Sequence, residues 1–208
     1  MTDALESYYA NHGTTERWPY SIYHGPIHDY LKWATSNLPD RSSCLNVGCG
    51  FFENYPELKG NLNWHACDID SRCVDVVEKR YPEVKVKLVD GLPDYRDETF
   101  DFLFAKEVIE HIEQPGRWLR QLFRLVKKKG RLVLTTPNYG VSPLPLVEYT
   151  LLELIARKKG FSRFNIHPNK YNTKKLKREL DSSLGDAACF RVITLSHKMV
   201  LLADIVKP

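Results

Sequence analysis

Apolar and polar residues follow one another along most of the chain in a pattern of short strands separated by helices. Five apolar runs have the length of buried strands, and they lie at residues 44–47, 63–67, 84–89, 100–105 and 131–135. Apolar residues at helical spacing lie between them, most clearly at 118–126, where Gly130 is expected to end the helix. Strands and helices that alternate in this way form right-handed βαβ units. We therefore predict an α/β fold with a doubly wound, mostly parallel sheet and helices on both faces.

The last two strands are expected to differ from the others. Residues 189–194 and 198–206 are strand-like runs separated only by the tight turn Leu195-Ser196-His197. Two strands joined by so short a turn pair antiparallel as a β-hairpin. The parallel sheet is therefore predicted to close with an antiparallel hairpin at one edge.

Two segments lie outside this alternation. Residues 1–38 are rich in Tyr, Trp and His and predict an N-terminal helical cap, with its clearest helix at 26–37. Residues 138–172 contain Pro143 and Pro145, then an amphipathic helix at 146–159 that Gly160 is expected to cap. An insertion after a strand lies on the side where open α/β sheets bind ligands. We predict that residues 138–172 form a lid over an acceptor pocket.

The composition fits one globular domain spanning residues 1–208. The chain is 43% hydrophobic and 27% charged, and its formal net charge of +4 does not by itself indicate a nucleic-acid partner. The N-terminus lacks the features of a signal peptide, and no apolar run approaches the roughly 18 residues of a transmembrane segment. The five cysteines lack paired C-x2-C spacing, which favours free thiols and a cytoplasmic protein.

Glycines and carboxylates follow the first three predicted strands. Gly48-Cys49-Gly50 ends the first strand, where glycines let the backbone turn sharply and approach a ligand. Asp68 ends the second strand at the distance expected for a carboxylate that binds ribose hydroxyls, and Asp90-Gly91 ends the third. Each aspartate taken singly could instead be a helix cap or a turn residue. Their agreement at three successive strand ends favours a nucleoside-containing ligand.

These motifs resemble those of the class I S-adenosylmethionine (SAM)-dependent methyltransferases. The resemblance covers residues 45–50, 68–70, 90–93, 98–101, 107–111 and 130–138, together with the final hairpin. It implies the seven-stranded order 3-2-1-4-5-7-6 and SAM as cofactor. The cofactor-binding residues it implies are Asn46, Gly48, Cys49, Gly50, Asp68, Ile69, Asp90, Gly91, Leu92 and Lys106.

The sequence departs from the family pattern at two positions. The family usually has an acidic residue where this chain has Asn46, and commonly a third glycine where it has Phe52. A dinucleotide-binding oxidoreductase is disfavoured, because the chain has no G-x-G-x-x-G motif.

Glu107, Glu110 and His111 follow the fourth strand and are the main candidates for catalysis. If this segment is helical, the three side chains share one face. They could then bind a divalent cation such as Mg²⁺, act as a general base or orient the acceptor, or simply begin a helix. The run resembles the metal site of small-RNA 2′-O-methyltransferases and of ubiquinone-pathway O-methyltransferases. The RNA enzymes have a further histidine after the fifth strand, and His167 is the nearest candidate here.

His167 is predicted to lie in a loop that leads into a helix capped near Asn172 or Thr173. It either contacts the acceptor or is solvated. The leading hypothesis is methyl transfer from SAM to oxygen or nitrogen of a small-molecule metabolite. The alternatives are a metal-assisted RNA 2′-O-methyltransferase, suggested by basic runs at 127–131, 157–159 and 174–178, and a non-catalytic SAM-fold binding protein, suggested by Asn46 and Phe52. Those basic runs are more typical of solvated helix faces, which disfavours a nucleic-acid partner.

Overall fold

The computed structural model describes residues 20–158 and 167–208, and these form a seven-stranded sheet flanked by helices. The strands lie in the order β3-β2-β1-β4-β5-β7-β6, which confirms the predicted order. All neighbouring pairs from β3 to β5 are parallel, whereas β7 pairs antiparallel with both β5 and β6. The strands are β1 (Ser43–Val47), β2 (Asn63–Asp68), β3 (Lys85–Leu88), β4 (Phe100–Lys106), β5 (Val126–Pro137), β6 (Cys189–Leu195) and β7 (Val200–Val206).

Helices cover both faces of the sheet. They are α1 (Tyr20–Ser36), α2 (Tyr55–Leu58), α3 (Ser71–Arg80), α4 (Pro115–Leu125), α5 (Leu144–Val147), α6 (Glu153–Lys158) and α7 (Thr173–Leu184). A π-helical turn, Glu148–Leu152, joins α5 to α6, and 3-10 turns lie at Ile109–His111 and Gly185–Ala187. The Asn172 side chain accepts a hydrogen bond from the Lys175 amide and caps α7, as predicted.

The central strand β4 shows why the strands read as continuous apolar runs. Phe102 and Phe104 lie in the core formed with α1 to α3, whereas Leu103 and Ala105 lie in the core formed with α4 and α7. Successive side chains of a strand point to opposite faces, so a strand buried on both sides needs apolar residues at every position.

Two local predictions were wrong. Helix α4 ends at Leu125 and β5 begins at Val126, so Gly130 lies inside a strand instead of ending the helix. The helix expected from Glu107 is absent because Glu107 has a left-handed φ of 56° and its amide bonds to Thr135. Only a 3-10 turn follows, at Ile109–His111.

The described residues include most of the predicted lid and the end of the predicted N-terminal cap. The remaining parts of both predictions, including Gly160, lie outside the described residues. No helix in the described ranges is long and apolar enough to cross a membrane. All five cysteines are free thiols, and only Cys189 is exposed.

Candidate functional site

The loop after β1, residues 48–50, is bent by two glycines and tied to the neighbouring strand. Gly48 and Gly50 have left-handed φ angles of 65° and 51°. The amides of Gly48 and Cys49 both donate to the Cys67 carbonyl oxygen, at 2.9 and 3.0 Å. A Cβ on Gly48 would lie 2.6 Å from Cγ2 of Val108, whereas one on Gly50 would have no atom within 4 Å. Gly48 therefore permits close packing, and Gly50 leaves its side of the loop open.

Asp68 organises this loop from the end of β2. One carboxylate oxygen accepts the Gly50 amide at 2.8 Å, and the other accepts the Asp70 amide at 3.0 Å. Burial raises the pKa of Asp68, and the two amide hydrogen bonds oppose that rise. Since each carboxylate oxygen has two lone pairs, both oxygens retain capacity for a ligand hydroxyl. Asp68 is thus both a structural tie and a possible ribose acceptor.

The other strand ends lie along the same edge of the sheet. The Val89 amide donates to the Asp68 carbonyl oxygen at 3.0 Å, which brings the loop of Asp90 and Gly91 beside the end of β2. Asp90 and Gly91 are exposed, and Ile69 leaves 51% of its surface exposed. Leu92 packs partly against the core. The glycine loop, Asp68 and Asp90 therefore meet at one rim.

Asn46 provides the clearest sign that this rim fits a polar ligand. Its side chain is buried, and within the described part of the chain its Oδ1 has no hydrogen-bond partner. A buried acceptor without a partner is costly, so a ligand donor such as an amino group would stabilise it. Together with the open loop and the exposed Ile69, these groups fit SAM: the Asn46 oxygen and the carboxylates of Asp68 and Asp90 accept from its polar groups, and Ile69 offers an apolar surface for its adenine.

Phe52 does not obstruct the rim. It adopts a left-handed φ of 47° and is only 2% exposed. Its ring packs against Tyr55, Trp64 and Phe104 in the core beneath the sheet. The departure from the family's third glycine is therefore accommodated by the core and not by the ligand side.

Lys106 and Glu107 lie at the end of β4, next to the glycine loop. Lys106 Nζ lies 3.4 Å from Nε2 of His28 on α1. Burial and the positive charge of Lys106 lower the pKa of His28 to about 4, so its ring is neutral at physiological pH. The Glu107 carboxylate accepts hydrogen bonds from the Tyr23 hydroxyl at 2.6 Å and the Thr135 hydroxyl at 2.8 Å. Burial nevertheless raises the pKa of Glu107.

Glu110, His111 and His167 come together beside this carboxylate. One ligand atom from each lies within 4.8 Å of the other two. Glu110 is 1% exposed, and neither carboxylate oxygen has a hydrogen-bond partner among the described residues. Burial, and then the charge of Glu107, raise the pKa of Glu110 well above its ordinary value. The cluster differs from the predicted trio: His167 joins it, whereas Glu107 is held apart by Tyr23 and Thr135.

Four residues that contact Glu107 or His167 were not identified as such from the sequence. They are Tyr23, Thr135, Tyr139 and Glu148. Tyr23 and Thr135 hold Glu107, and two residues of the predicted lid lie beside His167. The Tyr139 hydroxyl lies 2.6 Å from Nδ1 of His167, and a Glu148 carboxylate oxygen lies 3.8 Å from the same atom. These contacts join positions far apart in sequence, so spacing gives no signal for them. A buried acid in an amphipathic lid helix is the only feature that could have singled out Glu148.

Comparison with known proteins agrees with this geometry. Residues 45–134 match the family described as a methyltransferase domain, and they contain the glycine loop, Asp68, Asp90 and the Glu107–His111 segment. The chain has the sheet order of the class I SAM-dependent methyltransferases, and its residues 45–134 are similar to their methyltransferase domain. In this sheet order, β7 is inserted antiparallel between β5 and β6.

The curated relatives match only part of this chain. It is 32% identical over 114 residues to the mitochondrial ubiquinone biosynthesis O-methyltransferase of Saccharomyces cerevisiae, a match covering 50% of this chain and 36% of the relative. A probable SAM-dependent methyltransferase of Mycobacterium tuberculosis is 35% identical over 75 residues, covering 35% and 27%. The chain thus spans well under half the length of these curated relatives.

Solved structures resemble the whole fold. A SAM-dependent methyltransferase of Thermotoga maritima, described as a possible histamine N-methyltransferase, superimposes with a TM-score of 0.68 at 19% identity. That match covers 98% of this chain and 100% of the other. At this identity the likeness concerns the fold alone.

Proposed function

We propose that this protein is a methyltransferase that transfers the methyl group of SAM to an oxygen or nitrogen atom of a small-molecule acceptor. The observation that carries the proposal is the shared position of two groups of residues on one edge of the sheet. Asn46 pairs with Phe104 across β1 and β4, so Lys106 and Glu107 follow directly beside the glycine loop. An acceptor held by the Glu107–His111 segment would therefore lie next to a cofactor held by that loop.

The chain's own residues would bind, align and exclude water. Asp68, Asp90 and the Asn46 oxygen would hold the cofactor against the glycine loop, and the cofactor supplies a methyl group on a positively charged sulfur. Residues 139–158 cover the acceptor side, and Tyr139 and Glu148 bring this lid to the buried cluster. Methyl transfer needs an in-line approach and removal of one proton from the acceptor. Glu110 is suited to accept that proton, because its raised pKa makes it a stronger base than an exposed carboxylate.

We further propose that Glu110, His111 and His167 hold a divalent cation that orients the acceptor. Support comes from their spacing and from the two unpartnered oxygens of Glu110, which a cation would neutralise. Two imidazoles and one carboxylate suit transition metals such as Zn²⁺, Fe²⁺ or Mn²⁺ better than Mg²⁺, which prefers oxygen ligands. These three ligands therefore favour a transition metal over the Mg²⁺ expected from the sequence.

Of the two proposed methyl-accepting atoms, oxygen is better supported than nitrogen. The S. cerevisiae relative is named as an O-methyltransferase. A metal-bound hydroxyl loses its proton more easily than a free one, so a cation beside Glu110 would assist transfer to oxygen more than transfer to an amine.

Isothermal titration calorimetry with SAM and its demethylated product S-adenosylhomocysteine tests the cofactor proposal. We expect one site per chain, and at least about tenfold weaker binding for Asp68→Asn, because the amide can accept at one oxygen only. Asp97→Asn is the matched control, since Asp97 lies in an exposed pair with Arg124. No binding of either ligand by the folded wild-type chain would overturn the proposal. Binding without turnover of any catechol, phenol or amine acceptor would favour the non-catalytic alternative.

The cation proposal is tested by titrating the metal-free protein with Mn²⁺, Zn²⁺ and Mg²⁺. We expect Zn²⁺ and Mn²⁺ to bind more tightly than Mg²⁺, and Glu110→Gln and His111→Gln to weaken that binding at least about tenfold. His197→Gln is the control, because His197 is exposed in the β6–β7 turn. Equal affinity of the variants and the wild type would contradict the site.

A further inference from the structure

We propose that Tyr139 and Glu148 are positioning residues that fix the tautomer of His167 and aim its Nε2 at Glu110 and His111. The proposal deepens the proposed function and rests on its acceptor site, but the hydrogen bonds that carry it can be measured without cofactor or acceptor. It assigns a role to two lid residues that lie outside the methyltransferase-domain match.

The side chains of Glu148, Tyr139 and His167 form a relay, that is, a chain of hydrogen bonds in which each proton points one way. The Tyr139 hydroxyl and Nδ1 of His167 are 2.6 Å apart, a short hydrogen bond. The Glu148 carboxylate interacts with the same Tyr139 hydroxyl and lies 3.8 Å from Nδ1. A carboxylate only accepts, so the Tyr139 proton points to Glu148 and the Tyr139 oxygen accepts the proton on Nδ1.

This direction determines which nitrogen of His167 carries the proton. When Nδ1 carries the proton, Nε2 keeps its lone pair and acts as an acceptor or a metal ligand. The His111 and His167 rings lie edge to face with centroids 4.9 Å apart, and Glu110 lies within reach of both. The lone pair is therefore presented where the proposed cation or the acceptor proton would be.

Burial makes the relay selective. His167 is 7% exposed and Glu148 is 1% exposed, so water does not compete freely for either side chain. Hydrogen bonds are stronger in such surroundings, and in the alternative tautomer the Tyr139 proton would turn to Nδ1 and leave the Glu148 carboxylate without that donor. The fixed orientation is what a ligand histidine ordinarily receives from a partner bonded to its other nitrogen.

The relay also joins the three parts of the lid. Tyr139 follows β5, Glu148 begins the π-helical turn Glu148–Leu152, and His167 precedes α7. The Tyr139 amide donates to the Tyr171 carbonyl oxygen at 2.7 Å, which holds the first of these parts against the last. Single π-helical turns occur often at functional sites, and this one places Glu148 inward. The orientation of His167 is consequently set by how the lid is folded over the site.

Long-range ¹H–¹⁵N NMR of the histidine rings in the full chain tests the proposal directly. At about pH 8, above the ordinary histidine pKa, we expect the ring proton of His167 to lie on Nδ1. His167→Gln identifies its signals by their disappearance. Tyr139→Phe should give a mixture of tautomers, and Glu148→Ala should do the same, whereas Glu148→Gln should retain the Nδ1 proton because its amide oxygen still accepts from Tyr139.

Tyr171→Phe is the matched control. Tyr171 is a buried tyrosine beside the same loop, but its hydroxyl has no hydrogen-bond partner among the described residues. Its loss should leave the His167 tautomer unchanged. An Nε2-protonated His167 in the wild type, or an unchanged tautomer in Tyr139→Phe, would overturn the proposal.

Metal titration of the same variants separates this inference from the proposed function. If the cation site is also correct, Tyr139→Phe should weaken Mn²⁺ binding about tenfold while SAM binding stays at the wild-type value. The predicted tautomer together with no cation binding in any variant supports the relay and overturns the cation site alone. Cation binding with an Nε2-protonated His167 overturns the relay alone.

Discussion

Gly48→Ala is expected to destabilise the protein through one contact between the glycine loop and the Glu107–His111 segment. The added Cβ would lie 2.6 Å from Cγ2 of Val108, closer than real Cβ contacts. Valine has few low-energy rotamers, so Val108 cannot simply turn away. The same substitution also places alanine at a φ of 65°, in the left-handed region.

The size of the effect follows from these two terms. The left-handed backbone costs about 1–2 kcal/mol for a residue with a Cβ. Overpacking against Val108 adds about 1–3 kcal/mol. Gly50→Ala is a close comparison, because it has a φ of 51° and no atom within 4 Å of its new Cβ. Gly50→Ala should therefore lose only the stability that the left-handed backbone costs, about 1–2 kcal/mol.

Urea unfolding followed by circular dichroism measures these differences, with unchanged m values as the check that only stability has changed. The double variant Gly48→Ala/Val108→Ala should lose about 1–2 kcal/mol less unfolding free energy than the two single variants lose together. A loss for Gly48→Ala no larger than for Gly50→Ala, with no coupling to Val108, would refute the close packing of the two segments.

Two further predictions concern residues around the site and away from it. Because the pKa of His28 is lowered to about 4, the folded chain binds fewer protons than the unfolded chain below the ordinary histidine pKa, and stability falls as the pH drops from about 6.5 to 4. His28→Gln should remove about 1–2 kcal/mol of that fall after allowance for solvent screening, and urea unfolding between these pH values would show an unchanged slope if the idea is wrong. Asp204 is buried in β7 and accepts from Tyr30 at 2.7 Å and from Arg191 at 3.0 Å, so Asp204→Ala should cost about 2–4 kcal/mol while SAM affinity stays constant. Asp97→Ala, which removes an exposed pair, should cost less than about 1 kcal/mol in the same assay, and equal losses for the two variants would contradict the burial argument.

The sheet was predictable because its signals are local. A strand such as β4, buried on both faces, must be apolar throughout, and the short connection of residues 196–199 leaves β6 and β7 no arrangement except a hairpin. The glycine loop and Asp68 were predictable for the same reason, since each lies at a fixed place at the end of its strand. The hydrogen bonds of Asp68 were not predictable in this way: both of its carboxylate oxygens accept backbone amides, from Gly50 and Asp70.

The acceptor side was less predictable because its contacts are distant in sequence. Glu107 looked like the start of a helix, but Thr135 binds both its amide and its carboxylate and holds the backbone in a left-handed conformation. Tyr23 reaches Glu107 across 84 positions. Glu148 resembled any acid in an amphipathic helix until the π-helical turn and its burial beside His167 distinguished it. Tertiary contacts of this kind override local propensity.

The crystal structure of the protein with S-adenosylhomocysteine tests the central claim most directly. The account predicts the adenosine along the rim formed by residues 48–50, Asp68 and Asp90, an amino group bonded to Oδ1 of Asn46, and the sulfur facing Glu110. Ligand bound at another edge of the sheet, or an Asn46 oxygen still without a partner in the complex, would contradict it.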